Sequence, residues 1–437
     1  MRIEDYIKRH AEKYPSKPAL ICGDESCSYS ELYRKVRTRA KELNVGGLIV
    51  PFRAIPSIDT LVEYFAIHEA HGIAAPLDKS LPDDLFDAVG SHSTDIEPNI
   101  ADLLFTTGTT GKPKGALIPH HAIIANAENL IEAQHFHPDL TFIVNGPLNH
   151  LGSLSKIYPC IYIGATIHIV DGLKDLETFF AAFDSQYDPS TKKYATFLVP
   201  DSIRMLLVLA RKRLSQLADR IEFIETGAAP MTQQDMETLC EILPYSRLYN
   251  TYASTETGIV STFNFNEGEC IADCVGKPML HSEILITPEN TFACKGNTLM
   301  AGYIDDYNPK SPPTTIFTSD LGDIDSKGRL HLKGRSDDII NVGGFKVNPI
   351  EVEEVAMSYP GIRDCACVPS KNSILGTILK LLIVADRETD RRSLVEHMKS
   401  RLESYKIPAV IEYSNIIPRN RNGKIDRQIL STMPSPR

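Results

Sequence analysis

The sequence predicts an α/β protein with a large N-terminal domain of layered sheets and helices and a small C-terminal α+β domain. Three observations predict it. Short apolar strands and amphipathic helices alternate over the first three quarters of the chain, which is the pattern of helices packed on a largely parallel sheet. The length of 437 residues allows two or three domains. After Pro349 the order changes to helix, strand, strand, helix, strand, the signature of a separate unit.

The elements follow in order. Ile3, Tyr6, Ile7 and His10 recur at helical spacing, and Pro15 ends the run. Pro18–Cys22 reads as a strand and Gly23-Asp24 as a turn. Tyr29 opens an amphipathic helix to about Leu43. A strand over 47–51, a helix over 60–71 and a strand over 73–76 come next. The acidic stretch 82–98 reads as a helix and a loop. Leu103-Leu104-Phe105 reads as a buried strand, and further units run to about Leu332. Val342-Gly343-Gly344 marks a loop, and Pro349 opens a helix at its first turn.

Composition narrows the class. Hydrophobic residues make up 42% and charged residues 23%, the balance of an ordinary globular chain. The net charge of −10 speaks against a general grip on nucleic acid. No stretch approaches the apolar length of a membrane span, and the polar start Met1–Tyr6 lacks a signal core. Nine cysteines without framework spacing fit a reducing, cytoplasmic setting. Cys365 and Cys367 share one face of a strand and read as buried free thiols.

The segment Phe105-Thr106-Thr107-Gly108-Thr109-Thr110-Gly111-Lys112-Pro113-Lys114-Gly115 carries the strongest chemistry. Backbone amides freed by glycine, threonine hydroxyls and two lysines can wrap phosphate oxygens. The spacing is not that of the common Gly-Lys-Ser/Thr phosphate loop. Further along stand Gly227-Ala228-Ala229-Pro230, Asn250-Thr251-Tyr252-Ala253-Ser254-Thr255-Glu256, Phe317-Thr318-Ser319-Asp320-Leu321-Gly322-Asp323, Gly334-Arg335-Ser336-Asp337-Asp338 and Asn422-Gly423-Lys424-Ile425.

In this order and spacing the segments resemble the motifs of the adenylate-forming superfamily. That group includes acyl- and aryl-CoA ligases, peptide-synthetase adenylation domains and beetle luciferases. The resemblance spans residues near 15 to near 430. It implies an ATP- and Mg²⁺-dependent acid–thiol ligase that forms an acyl-AMP and then a thioester, with CoA as the second substrate. A phosphopantetheinyl carrier protein or an amine as acceptor, and a catalytically silent nucleotide-binding module, stand as alternatives.

The resemblance also implies roles. Thr106, Thr107, Gly108, Thr109, Thr110, Gly111 and Lys114 would hold phosphates. Gly227, Ala228 and Ala229 would line the adenine site, and Tyr252 would stack on the base. Asp320 would hold the ribose, with Arg335 reaching ribose or phosphate. Thr255 and Lys424 would be catalytic, and Glu256 would be both catalytic and the Mg²⁺ ligand. His150, Thr226, Thr251 and Ala253 would border the acyl group. Domains of residues 1–334 and 335–437 would meet at a hinge near Asp337, making the small domain mobile and its 343–347 loop a moving part. Ala253 and Ser319 stand where the family commonly has glycine. No acidic residue lies between Gly146 and Ser155 to hold an α-amino group, which counts against an amino-acid substrate.

Overall fold

The computed structural model describes residues 1–90, 96–106, 113–184, 194–372, 376–385, 389–419 and 425–432. The first segments form as the pattern predicts. Helix Ile3–Lys13, strand Pro18–Cys22 and helix Tyr29–Glu42 fall within a residue or two of expectation. Ser28 caps the second helix by accepting from the Glu31 amide, and Glu31 returns the bond to the Ser28 amide. Strand Ile49–Arg53, helix Ile58–Glu69 and strand Ile73–Leu77 lie one or two residues from the predicted spans.

Thirteen strands form one sheet, and only half of it is parallel. Strands Pro18–Cys22, Thr166–Ile169, Thr141–Val144, Tyr194–Phe197, Ile221–Gly227 and Arg247–Ser254 lie side by side in that order, all parallel. From Gly258 onward every pairing in this sheet is antiparallel. The largely parallel expectation is thus corrected for the second half. The reason is connection length. A parallel crossover takes a dozen or more residues, whereas Ser254 turns into Gly258 within a tight hairpin. Gly258 sits there at φ +70, and the amide of Asn126 fills the space a side chain would need.

A second sheet of five strands runs Gly302–Tyr303, Lys114–Pro119, Ile100–Thr106, Ile73–Leu77, Ile49–Arg53. Helices Ile3–Lys13, Ile58–Glu69, His120–Gln134 and Leu151–Ile163 contribute to one core that draws on both sheets. Ten residues of Leu151–Ile163 are buried, so that helix is surrounded and shows no amphipathic stripe.

The C-terminal segment has its own three-stranded sheet, Ile362–Asn372, Gly376–Ala385 and Val410–Tyr413, and its own core. The predicted order holds, with a further short helix Arg427–Thr432 at the end. Cys365 and Cys367 face that core, while Ala366 and Val368 face a separate cluster on the other side of the strand. All nine cysteines are free, and burial pushes both of these thiols up. Among the described residues no helix is long and apolar enough to cross a membrane.

Candidate active site

Four neighbouring parallel strands end on the same edge of the large sheet. Their carboxyl ends are Val144, Phe197, Gly227 and Ser254. A crevice beyond such an edge is where α/β sheets bind ligands. Several candidate residues gather there by register alone. Gly227 is the direct partner of Thr251, and Thr226 of Asn250. A Cβ on Gly227 would stand 2.5 Å from the Thr251 carbonyl oxygen, so only glycine fits. Ala228 follows at φ +69, a strained backbone for a residue with a side chain. It is exposed, as a wall for a flat ligand has to be.

Thr226 and Thr251 are buried. The Thr251 hydroxyl pairs with that of Thr262 at 2.8 Å, whereas Thr226 Oγ1 has no partner among the described residues. His150 lies half-buried just before helix Leu151–Ile163, where it occupies the N-cap position. Ala253 is half-buried at a bulge in the hairpin.

A second group forms across strands. Asp320 is not a turn residue: it lies inside strand Ile316–Ile324, opposite Arg335 of strand Leu330–Arg335. The Tyr252 hydroxyl donates to Asp320 Oδ2 at 2.7 Å, and Arg335 donates to Asp320 Oδ1 at 3.2 Å. The Tyr252 ring packs edge-on against Phe292. Burial, and then the Asp320 charge, push the Tyr252 phenol well up. Burial opposes the Arg335 charge, but Asp320, Asp337 and Asp338 outweigh it and hold its pKa above the usual value. Arg335 Nε is buried without a partner. The hinge candidate Asp337 is exposed and accepts from Ser319 at 2.5 Å. Ser319, which replaces a glycine of the motif, thus ties that strand to the hinge candidate.

Glu256 and its neighbour Thr255 occupy the hairpin turn after Ser254, both half-buried. Tyr303, a residue the sequence reading missed, donates to Glu256 Oε1 at 2.8 Å. The ring of Tyr303 also lies under the Lys114 ammonium, 5.1 Å from its centroid. Lys114 is the strand partner of Thr106, so both ends of the glycine–threonine segment are pinned side by side. Thr107, Gly108, Thr109, Thr110, Gly111 and Lys424 lie outside the described residues. Among the described residues no hydrogen bond reaches Glu256 Oε2. A hard divalent cation takes carboxylate oxygen, so this donor fits Mg²⁺.

Another feature unseen in the sequence is a buried ion pair. Lys156 donates to Glu225 Oε1 at 2.6 Å, with both side chains 1% exposed. Lys156 also stands 5.3 Å over the Phe197 ring, beside the crevice.

Family comparison agrees with this geometry. Residues 86–303 match the AMP-binding enzyme family, and residues 351–424 match the AMP-binding enzyme C-terminal domain. The chain belongs to the AMP-binding enzyme family, that is, to the adenylate-forming superfamily of AMP-forming ligases. It is similar to 2-succinylbenzoate–CoA ligase of Staphylococcus epidermidis, at 24% identity over 97% of this chain and 96% of that one. The fold matches ATP-bound MatB from Rhodopseudomonas palustris, with a TM-score of 0.85 and 20% identity, covering 99% of this chain and 98% of that one. It also matches o-succinylbenzoate CoA synthetase of Bacillus subtilis in complex with its acyl-adenylate, with a TM-score of 0.82 and 20% identity, covering 98% of each chain.

Proposed function

We propose that this AMP-forming acid–thiol ligase activates a carboxylic acid lacking an α-amino group and passes the acyl group to CoA. The observation that carries the reading is the junction of Tyr252, Asp320 and Arg335 beside the carboxyl ends of the parallel strands. A carboxylate already held by two donors, next to an unpaired guanidinium nitrogen, is prepared for a ribose diol and a neighbouring phosphate.

In the first step the substrate carboxylate attacks the α-phosphate of ATP, and pyrophosphate leaves. Negative charge builds on the α-phosphoryl oxygens. Thr255, Lys114, Lys424 and the donors from Thr106 to Gly111 belong to the segments that neutralise it. Glu256 is the residue that holds Mg²⁺, whose chemistry here is to offset phosphate charge. Asp320 accepts from the ribose hydroxyls, and the Tyr252 ring borders the adenine. His150, Thr226, Thr251 and Ala253 border the acyl group.

In the second step residues 335–437 turn about Asp337 as a separate domain and bring the exposed Gly343-Gly344 turn toward the nucleotide. A thiolate attacks the acyl carbonyl, and AMP leaves. The names of the relatives support CoA as the thiol. The free, buried cysteines support a reducing, cytoplasmic setting.

The test is ATP–pyrophosphate exchange across a panel of carboxylic acids, followed by acceptor assays with CoA, holo-carrier protein and amines. Acid-dependent exchange followed by CoA thioester formation is expected. Exchange without CoA transfer would shift the acceptor to a carrier or an amine. No acid-dependent exchange with any acid would make the chain a silent nucleotide-binding module.

A further inference from the structure

Three helices meet away from the motifs described above. Helix Ile3–Lys13 brings Glu4, helix Ile58–Glu69 brings His68, and helix His120–Gln134 brings His120. The three side chains are buried, with residue exposures of 4%, 0% and 8%. One ligand atom from each lies within 4.8 Å of the other two. Among the described residues, Glu4 Oε2, His68 Nδ1 and His120 Nδ1 are buried without a hydrogen-bond partner. Leaving such an atom unpaired carries the full cost of its desolvation. Three unpartnered atoms on three clustered, buried side chains call for a common partner.

We infer that Glu4, His68 and His120 form a structural binding site for a divalent metal ion of the zinc class. Two imidazole nitrogens and one carboxylate oxygen are a borderline donor set, which suits zinc better than magnesium or calcium. The surroundings of His68 support this. Its Nε2 contacts Asp102 Oδ1 at 2.8 Å, and Asp102 Oδ2 accepts from Tyr64 at 2.9 Å and Tyr158 at 3.3 Å. A carboxylate only accepts, so Nε2 donates to Asp102, and Nδ1 lies on the side of Glu4, 4.0 Å from its Oε2. A histidine braced by a carboxylate on its far nitrogen is the usual support of a metal ligand.

Arg2 stands 3.8 Å from the other Glu4 oxygen, Oε1, and leaves Oε2 free. A surface cavity of about 400 Å³, lined by Arg2, Glu4, Asp5, Glu69 and His71, gives an ion a way in.

The role this geometry assigns is a staple. The ion would fasten the first helix to two others that share its core.

The test uses the whole chain, without ATP or magnesium. Metal content is measured after dialysis, and the stripped protein is titrated with Zn²⁺ and with Co²⁺. One equivalent per chain is expected. Cobalt should show visible ligand-field bands of a low-coordinate nitrogen–oxygen site, without a thiolate charge-transfer band. Glu4→Gln keeps the shape and should weaken binding at least tenfold. Asp102→Asn should weaken it about 10–100-fold at unchanged stoichiometry. Zinc should raise the melting temperature of the wild type and not that of Glu4→Gln. Wild-type protein that takes up no stoichiometric zinc would overturn the site. So would binding that is the same in Glu4→Gln, or that shows a thiolate band.

Discussion

Two pairs of opposite charge flank the crevice, and they are treated in opposite ways. Asp320 and Arg335 remain partly open, with side-chain exposures of 14% and 31%. Arg335 also keeps an unfilled donor. Lys156 and Glu225 are sealed, at 1% each. Burial pushes the Lys156 ammonium down, and Glu225 pulls it partly back. The difference separates charge that waits for a ligand from charge that holds a wall. The open pair gives up little when a ligand takes over its bonds. The sealed pair has no such exchange available, so losing one member leaves the other stranded in a low-dielectric interior.

The largest effect expected follows from that stranding. Lys156→Met replaces the ammonium with an apolar chain of similar length and leaves the Glu225 carboxylate buried and unpaired. Stability should fall by about 3–5 kcal/mol, read by urea denaturation. Adding Glu225→Gln removes the stranded charge and should restore most of the loss. A double variant as unstable as the single one would show that the pair is not what holds this wall.

A middle-sized effect is expected at the open pair. Asp320→Asn keeps the shape and the strand register but halves the acceptor capacity and removes the charge. Loss of a hydrogen bond to a charged group is worth about 1.5–3 kcal/mol. The KM for ATP should therefore rise roughly tenfold to a hundredfold, while the melting temperature moves far less than in Lys156→Met. Equal destabilisation in both variants would erase the distinction drawn between the two pairs.

The same division explains what the sequence made legible. Glu256, Asp320 and Arg335 stand in short segments whose residue types answer to ligand chemistry, and these stand out locally. Asp320 and Arg335 also lie on two strands joined by one turn, so their meeting is a local event. Lys156 and Glu225 are 69 positions apart, and Tyr303 is 47 from Glu256. No local pattern announces such a pairing. Sheet direction was hidden for a related reason, since a buried apolar strand reads the same whichever way its neighbour runs. The evidence lay in the shortness of the connections after Ser254. Helix Arg427–Thr432 spans six residues, too few for a period to show.

The smallest effect concerns buried bases whose pKa is lowered chiefly by burial. His168 lies on strand Thr166–Ile169 with its ring bonded to the Ala182 carbonyl, and burial depresses its pKa below the usual 6.5. His10 is depressed too, chiefly by burial. A base depressed in the fold binds its proton more readily when unfolded. Its contribution to stability is therefore complete above pH 6.5 and is lost as pH falls through the folded pKa. Glu4, whose carboxyl is raised by burial, acts with the opposite sign, so the total slope mixes several groups. A difference measurement isolates one of them. His168→Gln should flatten the fall of stability below pH 6.5, by at most about 1.4 kcal/mol per pH unit for a single proton. If His168→Gln and wild type lose stability in parallel below pH 6.5, His168 is not the neutral buried base that its surroundings describe.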